Sequence, residues 1–508
     1  QESRVQLNAY HCSAAISCCD KGGNWQLALS LLGRTTEMRV GPHAVCCNTA
    51  MNACNKGLQW HVCLDLLRVM TCATTKPDEV SYNSAIGACS KSGQWQLALR
   101  FLMEMVGEKL LPDVISFSSA ISACEQGGQW HFALSLLTSM CASRVPPNDI
   151  SINVALSACN WYIALSLLGR MPAVRVLPNQ RTYNVAISSC EKGGQWQLAI
   201  QLLGGMPALR LDPIAMSYNA AMSACEKGGQ WQLALSLLGN MPQVSISPTE
   251  VSYGAGISAC EKSGEWQLAL HLLDMLPYFS LAPNVIICSA AISACEKGGE
   301  WQLAMHLLRN MPGTTVMPNV ICYNAAVSAC SKGGQWALAL HLLFGMPECK
   351  LSPTQVSYSA AISACEKGLQ WQLAFSLLSS MPQMQILPNE VSFGAAISAA
   401  EKGRQWQVAL ALLSAMPEMQ VLPPVMCFNA AMLACINCGR WQNMFGILAE
   451  MLRLGVDPSQ FSCAPLMTEC EQRALLGSEG SIAERLLTIL GTPGATAYEK
   501  EGHSNRLQ

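Results

Sequence analysis

The chain has 508 residues, of which 51% are hydrophobic and only 13% charged, with a formal net charge of −2. That balance excludes an overall basic field of the kind that gathers polyanions from a distance. No stretch of 18 uninterrupted apolar residues occurs, so no membrane span is expected, and the hydrophobic content must be buried in an extended core.

Residues 1–8 read as the remnant of a preceding unit or a linker, and from residue 9 a period takes over. Trp25, Trp60, Trp95, Trp130, Trp161, Trp196, Trp231, Trp266, Trp301, Trp336, Trp371, Trp406 and Trp441 are all 13 tryptophans, and every step but one is 35 residues. The exception, Trp130 to Trp161, is 31 residues because "CEKGGQW" has shrunk to "CNW" at Cys159 to Trp161. A fixed period between about 20 and 50 residues marks an array of stacked units. Dividing the length by a typical domain size would therefore miscount the domains.

With tryptophan as the seventeenth residue of each unit, residues 79–113, "EVSYNSAIGACSKSGQWQLALRFLMEMVGEKLLPD", read as two helices. Positions 4, 7, 8 and 11 (Tyr82, Ala85, Ile86, Cys89) are spaced i, i+3, i+4, i+7 and form one apolar stripe. Ser92-Gly93, more often Gly-Gly, ends this helix through a left-handed cap. Positions 17, 20, 21 and 24 (Trp95, Ala98, Leu99, Leu102) repeat the spacing, and positions 19 and 23 widen the arc, so the second helix is expected to be covered on two sides. Eight units place proline at position 28, from Met171-Pro172 to Met416-Pro417, and all thirteen carry proline at position 34, which reads as a firm stop after each pair.

Residues 9–459 thus hold thirteen helix–turn–helix units, the fifth shortened to 149–179. Beyond them the pattern decays. Phe461 to Cys470 and Ser481 to Leu490 can still form helices, so 460–490 reads as a degenerate capping unit, and the polar 491–508 as a disordered tail. The expected class is an all-α solenoid.

Twelve of the 26 cysteines sit at position 11, from Cys19, Cys54 and Cys89 through Cys365 to Cys435, inside the apolar stripe, where cysteine serves as a small buried residue. Cys435 and Cys438 form a lone CxxC without the second pair that a zinc site needs. His271, His306 and His341 recur at position 22 on the polar stripe and read as solvent-facing. No His, Asp, Glu or Ser stands in a unique, non-repeated setting, so neither catalysis, cofactor, metal nor small-molecule substrate is expected.

The face of the first helix opposite the stripe carries positions 2, 5, 9 and 13. Position 2 is aliphatic where polar residues belong: Val45, Val80, Ile115, Ile150, Met216, Val251, Ile286, Ile321, Val356, Val391 and Met426. Position 13 is Lys21, Lys56, Lys91, Lys192, Lys227, Lys262, Lys297, Lys332, Lys367 and Lys402. Such rows suit an unstacked polymer of flat bases joined by phosphates, although a lysine in the last turn also complements its own helix dipole. Position 5 holds only Asn, Ser or Gly, all poor helix formers. Position 35 is mostly Asn, Asp, Ser or Thr, which can cap the next helix. The tryptophan at position 17 and the proline at position 34 never change, while positions 5 and 35 vary.

In these features the unit resembles the pentatricopeptide repeat: 35 residues, "VSYNSAIGACSKSGQWQLAL", then Met, then a terminal Pro-Asp or Pro-Asn. The resemblance covers 9–459. It implies a right-handed superhelical α-solenoid that binds single-stranded RNA, one base per unit, read by positions 5 and 35, with position 2 sandwiching bases and the position 13 lysines meeting phosphate. On that implication Asn48 with Asp78, and Asn83 with Asp113, resemble uracil readers. Ser118 with Asn148, Ser289 with Asn319, and Ser359 with Asn389 resemble adenine readers, and Asn429 with Ser459 a cytosine reader. Asn153 with Asn179, Asn219 with Thr249, and Asn324 with Thr354 imply pyrimidines, as does Asn184 beside Ile214; Asn284 below Gly254 weakly implies adenine. The implied target is 5′-NUUAYYYAAYANC-3′, with Y a pyrimidine.

Two departures bear on this. Glu at position 12 (Glu125, Glu191, Glu226, Glu261, Glu296, Glu366, Glu401) lies near position 5 on the helical wheel and would repel phosphate if turned inward. The fifth unit lacks its turn and its lysine. The family implies an RNA adaptor in chloroplast or mitochondrion acting in stabilisation, processing, editing or translation, with RNA-processing proteins as further partners. The alternatives are a peptide-binding scaffold that uses the position 2 row, and a truncated editing enzyme or nuclease.

Overall fold

The computed structural model describes residues 9–37, 44–72, 75–314, 316–440 and 442–456. These form 26 α-helices and seven 3-10 turns, with no strand among the described residues. The proposed remnant at 1–8, the cap at 460–490 and the tail at 491–508 lie outside them.

Several first helices start from a position 35 side-chain cap. Asp78 is extended, its carboxylate accepts from the Ser81 amide at 2.9 Å, and the Ser81 hydroxyl accepts from the Asp78 amide at 3.2 Å, a reciprocal box that satisfies two otherwise free donors. The helix Glu79–Lys91 then runs to Ser92, and Gly93 at φ +69° reverses the chain into Trp95–Gly107. Three units make the same turn without glycine, at Leu58, Leu369 and Arg404.

The proline at position 28 does something other than stop the chain. In most units it opens a 3-10 turn, as at Pro207–Leu209 and Pro382–Met384, because its fixed φ and missing N–H suit the first position of a turn. In one unit Pro417 lies inside the helix Trp406–Glu418. The Met or Leu at position 27, which precedes the position 28 proline where it is present, is a large side chain held in the core: Met105, Met206, Met241, Leu276, Met346 and Met381 are wholly buried.

The contacts divide the chain into two compact units, Gln1–Ala255 and Gly256–Gln508. Within the first, each first helix packs on the next, from Ala9–Lys21 to Ala215–Lys227, and each second helix packs on its own first helix and on the following one. The second unit repeats this from Val285–Gly298 to Val425–Asn437. Second helices are thus covered on two sides, as their wide apolar arc predicts.

The predicted stripe is the core. Tyr82, Ala85, Ile86 and Cys89 are all buried, and Ala98 and Leu102 meet them from the second helix. Burying an Ile or Met side chain contributes about 1.5–3 kcal/mol, repeated here at every unit. The core of the first unit breaks at the shortened repeat: one cluster runs from Ile16 to Ala155, and a smaller one gathers Ile152, Leu156, Ala164, Leu168, Met171 and Ala186. The position 11 thiols are buried and free, and burial pushes Cys54, Cys89, Cys225 and Cys365 up to about 11, so they stay protonated and unreactive.

The fixed tryptophan has a local cause. Gly228 of one repeat lies so close to Trp196 of the preceding one that a Cβ there would overlap the indole, and Gly333 meets Trp301 in the same way. The tryptophan at position 17 and the glycine at position 14 are one inter-repeat contact read twice.

Candidate nucleic-acid interface

The first helices leave one face open. The eleven aliphatic residues at position 2 are all exposed, from 51% at Val80 to 79% at Met426. They lie one turn from the position 5 residues and cannot be core residues in this arrangement. Such a repeated apolar row, rimmed by polar groups, is the mark of a binding surface.

Positions 5 and 35, which stand 30 residues apart, are brought into hydrogen-bonding contact. The Asn48 amide donates to both carboxylate oxygens of Asp78 at 2.9 and 3.2 Å, and Asn83 donates to Asp113 at 3.2 Å. Asn219 with Thr249, and Asn324 with Thr354, make longer contacts of 3.4 Å. Burial pushes the Asp78 and Asp113 carboxyls up, but hydrogen bonds from the Ser81 and Ser116 amides and hydroxyls, and from Asn48 and Asn83, together hold them below the usual value. Both are anionic acceptors at neutral pH. Asn148, Asn179, Asn284, Asn319 and Asn389 cap the next helix through their side-chain oxygens.

Where position 5 is serine the geometry differs. The hydroxyls of Ser118 and Ser289 donate to Ile115 and Ile286 of their own helices, while Ser359 reaches both Gln355 and, at 3.3 Å, Asn389. Asn429 is half-buried, and its predicted partner Ser459 lies outside the described residues.

The ten lysines are exposed, but several are already engaged. Lys227 pairs with Glu191, Lys297 with Glu261, Lys332 with Glu296 and Lys402 with Glu366, at 2.9–3.1 Å and always to position 12 of the repeat before. Lys56 pairs with Asp20 at 3.0 Å, and Lys56 and Lys91 also donate to the carbonyls of Asp20 and Asn55, capping the neighbouring helix rather than their own. Four of the seven position 12 carboxylates, Glu191, Glu261, Glu296 and Glu366, are thus each paired with a lysine. Glu191 and Glu296 are held by these lysines and by the hydroxyls of Ser223 and Ser328, so each carboxylate arrives with a cation attached. Exposed pairs of this kind contribute only about 0–1 kcal/mol, so a phosphate can compete for the lysine at little cost.

The sequence reading missed position 3. Ser81, Ser116, Ser217, Ser252 and Ser357 have no exposed surface, and each hydroxyl lies 2.5–2.7 Å from the side-chain oxygen of the position 5 Asn one repeat earlier. In the shortened repeat the pattern fails. Asn179 turns its amide to Asp149 at 3.0 Å, the Thr182 hydroxyl follows Asn179, and both polar atoms of buried Asn153 lack a hydrogen-bond partner.

Models of the PPR repeat family match this sequence at 77–126, of the pentatricopeptide repeat domain at 279–333 and 307–367, and of the PPR repeat at 115–145, 181–211, 216–246, 356–386 and 426–456. No curated protein matches it. Among solved structures it is similar to the pentatricopeptide repeat protein PPR10 from maize, with a TM-score of 0.68 at 18% identity over 96% of this chain and 76% of that one. It is also similar to PPR10 in complex with an 18-nt psaJ RNA element, with a TM-score of 0.51 at 16% identity over 98% and 86%. At these identities the likeness shows the fold.

Proposed function

This chain belongs to the pentatricopeptide repeat family, and we propose that it binds single-stranded RNA sequence-specifically, one base per repeat, as a non-catalytic adaptor in organellar RNA metabolism. Thirteen repeats over 9–459, closed by a capping repeat at 460–490, form the reading array. Position 2 side chains sandwich the bases, position 5 and 35 pairs meet their edges, and the position 13 lysines exchange a carboxylate for a phosphate. The observation that carries this reading is the exposed aliphatic row running beside hydrogen-bonded 5–35 pairs. An RNA-bound relative of similar fold supports the class of ligand.

The test is a gel-shift titration of 5′-NUUAYYYAAYANC-3′ against a permuted strand of equal composition. The matched strand is expected to bind at least about a hundredfold tighter, from several base-edge hydrogen-bond pairs that each discriminate by roughly 1–3 kcal/mol, partly offset by non-specific binding. Raising the salt should weaken both strands by about tenfold or more. Equal binding of the two strands removes the code, and salt-insensitive binding of peptides instead would favour a protein scaffold.

A further inference from the structure

Resting on that RNA reading, we propose that each reader has a third member: the buried hydroxyl at position 3 of the following repeat, a positioning residue that fixes which edge of the position 5 asparagine faces the base. The hydroxyl of Ser116 accepts from the Asp113 amide at 3.2 Å, which leaves its single proton to donate. That proton lies between two acceptors, the Asn83 oxygen at 2.6 Å and the Asp113 carboxylate at 2.8 Å, and the shorter contact is to Asn83. The Asn83 oxygen is thereby turned toward Ser116, and its NH2 group toward Asp113. The same contact recurs whether position 35 is Asp, Thr or Ile, at Ser81 to Asn48, Ser252 to Asn219 and Ser217 to Asn184. It is therefore a property of the asparagine and not of the cap.

The sequence couples the two positions. Asn48, Asn83, Asn153, Asn184, Asn219, Asn324 and Asn429 are each followed 33 residues later (29 across the shortened repeat) by Ser or Thr, whereas of the six other position 5 residues Ser13, Ser289 and Gly394 are followed by Cys46, Cys322 and Cys427, Gly254 by Ile287, and only Ser118 and Ser359 by a hydroxyl, at Ser151 and Ser392. A free asparagine amide can flip and exchange donor for acceptor; one tied through its oxygen cannot. The shortened repeat is the internal exception. Thr182 there bonds Asn179, leaving the Asn153 amide without a partner, so the fifth base is read with the least discrimination of any opposite an asparagine.

The experiment compares binding of strands carrying each of the four bases opposite repeat 3 by wild-type protein and by the variants S116A, S116C and S116T, with thermal melts confirming that each folds. Wild type is expected to prefer uracil there by more than it prefers a pyrimidine at the fifth base. S116A and S116C should lose about five- to tenfold of the preference at the repeat 3 base alone, and S116T, which keeps the hydroxyl within a full-length repeat, should keep it. A folded S116A that retains the full preference overturns the inference while leaving the RNA reading intact, and so does a loss spread evenly over all bases. Absence of any base preference in wild type overturns the RNA reading, and this inference with it.

Discussion

Replacing Met346 with alanine should cost about 2–5 kcal/mol, the range for truncating a fully buried Met or Leu. Met346 has no exposed surface and sits within the core of the second unit, between the end of its own second helix and the first helix of the next repeat. Its carbonyl accepts from the Cys349 and Leu351 amides, bonds that do not depend on the side chain, so the loss is one of packing. In an array whose stability is a sum of repeat and interface terms, a single failed interface divides the cooperative unit. Urea unfolding should therefore become broader as well as shift to lower denaturant. Met317, 74% exposed, supplies the control, and Met317→Ala should change stability by no more than about 0.5 kcal/mol. Equal effects of the two would mean that position 27 is not the core spine described above.

The paired substitution Val356→Glu with Val391→Glu should weaken RNA binding by about a hundredfold while leaving the melting temperature within a degree or two. Both valines are 60% exposed and make no core contact that their loss would open. Each change removes an apolar contact with a base, worth on the order of 1 kcal/mol by the area a half-exposed valine can still bury, and sets a carboxylate beside the phosphate path. The two effects act in the same direction. A filter-binding measurement in which the double variant matches wild type would move the binding surface off the first helices.

Much of this was legible because the array repeats each physical constraint thirteen times. The stripe of Tyr82, Ala85, Ile86 and Cys89 follows from helical periodicity alone, and the exposed Val80 and Val251 follow as its opposite face. The buried cysteines and the solvent-facing His271, His306 and His341 follow from the same wheel. What escaped depends on neighbours one repeat away. Glu191 and Lys227 are 36 residues apart and look unrelated on one helical wheel, yet stacking makes them partners. Ser116 sits in the first turn of its own helix, and only stacking on the preceding repeat sets it against Asn83. Position 27 was hidden by its place at a helix end, where periodicity runs out just as the 3-10 turn folds Met346 back into the core.

The central claim is that bases lie against positions 2, 5 and 35 of the first helices. Photocrosslinking of a 4-thiouridine-substituted matched strand, with the modified peptides located by mass spectrometry, tests it directly. The account predicts crosslinks on first-helix peptides containing Val80, Ile115 and their equivalents, advancing one repeat for each nucleotide moved along the strand. Crosslinks confined to the second helices, around exposed residues such as Met103 or Phe344, would contradict it.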